Sequence, residues 1–133
     1  MNAAFSIDVD PALDLVRIEM SGLFSPADIE AFLEARRRAH ARLTCPPNAH
    51  LTLNDVRGMK IQPQEAVAAF QAMLADSAWR SRRLAFVVAL TLARGQLARA
   101  LAGRPDARLF EDIAEAEAWL LAAEAPTLRS AAG

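Results

Sequence analysis

The chain has 133 residues, a formal net charge of −1 and a hydrophobic content of 53%. That length suits one domain with a core of its own, and the balanced charge gives no general attraction to nucleic acid or to an anionic membrane surface. Cys45 is the single cysteine, which excludes an intrachain disulfide and favours a reducing compartment. No apolar run reaches the ~18 residues of a membrane span, and the N-terminus lacks the pattern of a signal peptide. We therefore expect a cytoplasmic protein without membrane contact.

The N-terminal residues predict an antiparallel hairpin. Apolar and polar residues alternate from Phe5 to Val9, which is the period of a strand with one buried face. Asp10-Pro11-Ala12 is typical of a turn. Leu13 to Met20 then resumes a strand pattern, and Ser21-Gly22 is expected to end it.

A first helix is predicted to follow the hairpin. Ser25 is suited to the N-cap, Pro26 to the first helical position and Asp28 to the first turn. The helix is expected to stop before Cys45-Pro46-Pro47, because proline cannot continue it.

The centre of the chain reads as strand, helix, strand. A buried strand with a polar carboxyl end is predicted over Ala49 to Gly58, and a second buried strand is predicted over Leu84 to Leu90. Between them, a segment with helical spacing begins at Pro63. Two strands joined by a helix form a parallel pair, and ligands of such sheets bind beyond the carboxyl ends of the strands.

The remaining residues predict a third helix, a strand and a last helix. Thr91 is the expected N-cap of the third helix, Ala107 to Phe110 is a short strand, and Asp112 lies at the start of the final helix. We expect one α/β domain over residues 1–125, with a loose tail from Pro126. Its mixed, mostly parallel sheet has about five strands, including an N-terminal antiparallel hairpin, and four helices.

The best candidate site lies at the carboxyl end of the central strand. Asn54, Asp55, Arg57 and Lys60 could bind an anion or a partner protein there through charged hydrogen bonds. The alternative is that Asp55 caps a turn and pairs with Arg57, which is common turn chemistry.

Two residues after the next strand extend this hypothesis. Thr91 and Arg94 are expected at a helix N-terminus, where free backbone N–H groups favour a carboxylate or phosphate. Simple capping by Thr91 is the alternative, since no glycine-rich phosphate loop precedes it.

The sequence spells out no catalytic or metal site. His40 and His50 show no metal-ligand spacing, and nothing in the sequence pairs Cys45 with a base that could activate it. Arginines cluster without interleaved aromatic residues, so nucleic-acid binding is not expected. No cofactor is predicted.

The order of the elements and three short motifs resemble the SpoIIAA-like, or STAS-like, family of bacterial anti-sigma factor antagonists. The first motif, Met20 to Asp28, looks like the family's transition from strand to first helix. The second, Leu53 to Met59, looks like its acidic strand end. The third, Leu109 to Leu120, looks like the C-terminal strand and helix of the small stand-alone members. The resemblance covers residues 3–123 and implies a SpoIIAA-like fold.

The resemblance also bears on function. Family antagonists switch by phosphorylation of a serine at the start of the second helix, but Met59 to Gln64 contains neither serine nor threonine. We therefore expect a non-catalytic binding or regulatory module that acts through protein contacts, including a possible homodimer, without that switch. The alternative is a protein that binds a small apolar or anionic metabolite at the carboxyl ends of the parallel strands.

Overall fold

The computed structural model describes residues 2–76, 80–89 and 92–122. Within these ranges, one sheet contains β1 (Ala4–Asp10), β2 (Leu15–Gly22), β3 (Leu51–Met59), β4 (Arg83–Val87) and β5 (Ala107–Phe110), in that spatial order. The α-helices are α1 (Pro26–His40), α2 (Gln64–Ala75), α3 (Leu92–Ala100) and α4 (Ile113–Leu121). Strands β1 and β2 are antiparallel and the other neighbours are parallel. The predicted α/β class, hairpin and four helices are confirmed.

The second strand differs from its predicted bounds. Leu13 belongs to a short 3-10 turn, Pro11–Leu13, and Asp14 after it has a left-handed φ of 53°. The strand also continues through Ser21 and Gly22, where the sequence predicted a break. These two residues pair in parallel with Gly58 and Met59 of β3, so contact with a distant strand overrides the local breaker signal.

The start of α1 confirms the predicted cap. The Ser25 hydroxyl accepts a hydrogen bond from the Asp28 backbone N–H, and the Asp28 carboxylate accepts one from the Ser25 backbone N–H. This reciprocal capping box satisfies two N–H groups that the first turn leaves without partners. The helix ends at His40, before the proline pair that was expected to stop it.

Strand β4 ends at Val87 among the described residues, earlier than the predicted Leu90. Leu90 and Thr91 lie outside the described residues, and so does the predicted tail from Pro126. No helix in the described part of the chain is long and apolar enough to cross a membrane.

The pleat of β3 divides the core between two faces of the sheet. Leu51 and Leu53 point towards α4, where they join a cluster with Ala116 and Leu120. The alternate residues point to the opposite face, which α1, α2 and α3 cover. On that face the rings of Phe32 and Phe70 meet edge to face, with centroids 6.4 Å apart. Each side of the central strand is therefore buried against different helices, which fixes its register.

Candidate functional site

A cleft opens at the carboxyl ends of β3 and β4, between the sheet and helices α2 and α3. Its cavity volume is about 110 Å³, well above the ~10–15 Å³ that a single water molecule needs. Most of its lining is apolar and includes three methionines and two phenylalanines: Met20, Met59, Met73, Phe70 and Phe86. Unbranched methionine side chains adapt to the shape of whatever they contact. The cleft is suited to a compact apolar group.

Asn54 is the buried polar residue on the inner wall of this cleft. The residue is 4% exposed, and its side-chain oxygen has no hydrogen-bond partner among the described residues. Leaving a buried acceptor without a partner costs about 1–3 kcal/mol. Because rotation of the amide exchanges its oxygen and nitrogen, Asn54 can present either an acceptor or a donor to a group in the cleft.

Three cationic residues line the cleft: Arg57, Lys60 and Arg94. Lys60 is exposed and makes no ion pair with any residue in the described ranges. Arg94, at the start of α3, donates from Nη1 to Glu111 Oε2 at 2.7 Å. A ligand with an acidic group at its outer end would meet positive charge here.

Asp55 and Arg57 form a separate ion pair. The Arg57 Nε donates to Asp55 Oδ1 at 2.9 Å and its Nη2 donates to Asp55 Oδ2 at 2.8 Å. Burial raises the pKa of the Asp55 carboxyl, but hydrogen bonds from Arg57 outweigh burial and hold that pKa below its ordinary value. The alternative sequence interpretation, pairing of Asp55 with Arg57, is therefore present in the structure.

The structure thus brings together only part of the predicted group. Asn54, Arg57, Lys60 and Arg94 line the cleft, whereas Asp55 does not. Between Glu19 and Ser21, β2 advances two residues while β3 advances three, from Asp55 to Gly58. Such a bulge re-aims side chains at the end of a strand. Thr91 lies outside the described residues.

Gln62 is a structural residue of the site that sequence reasoning missed. Its Oε1 accepts from the Phe24 backbone N–H at 2.9 Å, and its Nε2 donates to the Gly22 and Lys60 carbonyl oxygens at 2.9 and 2.6 Å. The side chain is only 9% exposed. It joins the loop after β2 to the loop after β3, which carries Lys60. A glutamine between isoleucine and proline gives no local signal of this role.

A second polar cluster lies at the opposite end of the sheet. The rings of His40 and His50 are buried with centroids 4.7 Å apart, and His50 Nε2 lies 3.3 Å from the Ser81 hydroxyl. That hydroxyl is also 2.6 Å from the Thr52 hydroxyl. Burial lowers the pKa of His40 to about 3, and the positive charge of Arg36 acts in the same direction. No group of three or more metal-ligating side chains occurs in the described residues.

This cluster predicts acid destabilisation in a defined pH range. The unfolded chain binds a proton at His40 near pH 6.5, whereas the folded chain resists it until about pH 3. Stability contributed by neutral His40 is thus present above pH 6.5 and is lost as the pH falls. We expect the free energy of unfolding, measured with urea, to drop by about 1–2 kcal/mol from pH 7 to pH 5 through His40.

The control for this prediction is His40→Leu, which removes the titrating ring. It should reduce the pH dependence between pH 6.5 and 5 without abolishing it, because the second imidazole, His50, remains and burial lowers its pKa as well. An unchanged slope in His40→Leu would contradict the assignment. An NMR titration of the imidazole in the unaltered protein gives a direct check.

The fold and the cleft can now be compared with known proteins. Neither the protein-family models nor the curated protein sequences gave a match. Among solved structures, the chain is similar to an uncharacterised protein of the DUF3478 family from Shewanella loihica PV-4, described as having a SpoIIAA-like fold, with a TM-score of 0.70. The match covers 90% of this chain and 96% of the other, at 18% identity.

The chain has a SpoIIAA-like fold. This confirms the fold that the three sequence motifs implied. At 18% identity the likeness concerns the fold alone, so the function has to be argued from the residues of this chain. In this chain, the segment before α2 contains Gln62, whose side-chain amide is buried.

Proposed function

We propose that this protein binds a small molecule in the cleft between β3, β4, α2 and α3. The ligand would have a compact apolar body, a hydrogen-bonding group that meets Asn54, and an acidic group near Lys60 and Arg94. The observation that carries the proposal is the unpartnered, buried Asn54 oxygen on the wall of an otherwise apolar cleft. A purely structural position would favour an apolar side chain, because the unpaired amide lowers stability.

We expect Asn54 to lower the stability of the free protein and to be required for binding. Asn54→Leu keeps the branched shape of the side chain, with somewhat larger terminal groups, and removes the unpaired acceptor. We expect the free energy of unfolding without ligand to rise by about 1 kcal/mol, while binding of the native ligand is lost. Both quantities can be measured, the first by urea unfolding and the second by native mass spectrometry of protein purified from its own host.

Thr52→Val is the matched control, since Thr52 lies on the same face of β3 two residues earlier. Its hydroxyl is paired with Ser81 at 2.6 Å, so its removal should destabilise the protein and leave ligand binding intact. If Asn54→Leu instead destabilises the protein as Thr52→Val does, the amide has a structural role and the proposal fails.

The ligand itself is the most direct test. A small molecule that occupies the cleft should appear in the native mass spectrum as a reproducible extra mass of a few hundred daltons. It should also raise the melting temperature by mass action. A free ligand concentration one hundred times Kd stabilises the folded protein by about 2.7 kcal/mol. The Lys60→Glu substitution should weaken the retention of an acidic ligand. A bare mass from several preparations, with no shift across a broad metabolite panel, would count against binding.

A protein-contact role is the second candidate, and one observation favours it. The Arg57 side chain remains 46% exposed although it is paired with Asp55, so it can accept a second acidic partner. Charge reversal at Arg57 should then abolish binding of that partner; because it also removes the pair with Asp55, circular dichroism melting checks that the variant is folded. A homodimer would be one such assembly, and light scattering at high concentration measures it.

A further inference from the structure

An arginine–aromatic cluster lies on the α4 face of the sheet, away from the cleft. The guanidinium carbon of Arg83 is 4.7 Å from the ring centroid of Trp119, and that of Arg108 is 5.9 Å from the same centroid. Phe110 extends the cluster, with its ring 5.6 Å from Trp119. We refer to Arg83, Arg108, Phe110 and Trp119 as the arginine–tryptophan surface.

The two arginines of this surface have no acidic partner in the described part of the chain. Arg17, Arg57, Arg80, Arg94 and Arg104, by contrast, each make an ion pair with a carboxylate. Arg108 is exposed and Arg83 is half-buried. Stacking on an aromatic ring holds a guanidinium in place while leaving its N–H groups free for a bidentate acceptor. Trp and Arg are also the residues that most often dominate binding at protein interfaces.

Strand β5 adds an open edge beside this surface. In the sheet, β5 has β4 as its single neighbour among the described residues. The Leu84 and Val88 N–H groups donate to the Asp106 and Phe110 carbonyls, so these alternate residues direct their carbonyls towards β4. Leu109, between Arg108 and Phe110, therefore directs its N–H and C=O outwards, where they can pair with another strand.

We propose that the edge of β5 and the arginine–tryptophan surface together bind an extended acidic segment of a partner protein. The backbone of that segment would add a strand next to β5, and carboxylates on alternate residues would pair with Arg108 and Arg83. Strand addition supplies affinity through main-chain hydrogen bonds, and the flanking side chains supply specificity. A strand edge can be continued by a polypeptide but not by a nucleic acid, which together with the net charge of −1 favours a protein partner.

The test uses a fluorescein-labelled nine-residue peptide in which glutamate alternates with valine, added to the full chain at low salt. We expect saturable binding by fluorescence anisotropy, and at least tenfold weaker binding by the double variant Arg83→Glu/Arg108→Glu. Arg42→Glu changes an exposed arginine elsewhere by the same charge and should bind like the unaltered protein. Circular dichroism melting checks that each variant is folded.

A second peptide separates strand addition from simple charge attraction. N-methylation of all the central backbone nitrogens keeps every glutamate but removes the N–H donors from both edges of the peptide, so it should abolish binding. Equal binding of the N-methylated peptide, or equal loss in Arg42→Glu, would overturn the proposal. It would also be overturned if single-stranded RNA or anionic vesicles bound the surface while the acidic peptide did not.

Discussion

Replacing Gly22 with alanine is expected to lower the free energy of unfolding by about 3 kcal/mol. Gly22 has a φ of +82°, which side-chain-bearing residues rarely adopt, and an added Cβ would lie 2.2 Å from the Asn2 carbonyl oxygen. The residue also ends β2 and accepts the hydrogen bond from Gln62. Urea unfolding monitored by circular dichroism measures the loss.

Gly103 supplies a matched control for this effect. Its φ is +84°, almost the same as that of Gly22, but an added Cβ would meet no atom within 4 Å. Gly103→Ala should therefore cost only the backbone strain, about 1 kcal/mol. The difference between the two variants isolates the contact with Asn2. Equal losses would mean that the N-terminal residues move aside, and the contact argument would then be wrong.

Replacing Gln62 with alanine is expected to lower the free energy of unfolding by about 3 kcal/mol. The variant removes three hydrogen bonds from a buried side chain and leaves the Phe24 N–H and the Gly22 carbonyl without that partner. Because the same side chain holds the loop that carries Lys60, a ligand bound in the cleft should also be retained less well. Chemical unfolding gives the first quantity and native mass spectrometry gives the second.

Two further substitutions test whether the Gln62 amide is responsible. Gln71→Ala removes an exposed glutamine of α2 and should change stability by less than about 0.5 kcal/mol. Gln62→Glu keeps an acceptor for Phe24 but loses the donor to the Gly22 and Lys60 carbonyls, so it should still destabilise the protein markedly. Full stability in Gln62→Glu would show that these donor contacts contribute nothing.

Structural elements that depend on neighbouring residues were predicted correctly from local signals. The structure contains the predicted capping of α1 by Ser25 and Asp28, the short strand Ala107–Phe110 and a last helix that begins next to Asp112. Each depends on hydrogen bonds, or on an alternation of apolar and polar residues, within a few positions of the chain, so the local sequence is enough to predict it. The predicted carboxyl end of β2 was wrong because long-range pairing with β3 determines where that strand stops.

In the candidate site, too, the residues near the strand ends were predicted from the local sequence, whereas the walls built from distant elements were not. Asn54, Lys60 and Arg94 were predicted near the carboxyl ends of parallel strands, and the structure places all three on the wall of the cleft. Asp55 was grouped with them by sequence proximity, but it lies outside the lining and binds Arg57. The apolar wall of the cleft includes Met20 and Phe70, which belong to elements far apart in the chain. No single stretch of the sequence therefore predicted the cleft.

Local periodicity and short motifs were enough to predict the order of strands and helices and the cap of α1, and the resemblance of that order to the SpoIIAA-like family implied the fold. Long-range packing, in contrast, sets which face of β3 each polar residue joins and leaves the Asn54 side-chain oxygen buried with no partner in the described part of the chain. It also decided that Gln62 joins two loops and that Arg83 and Arg108 share one tryptophan. These features arise from contacts between residues tens of positions apart, and such contacts exist only once the sheet has formed.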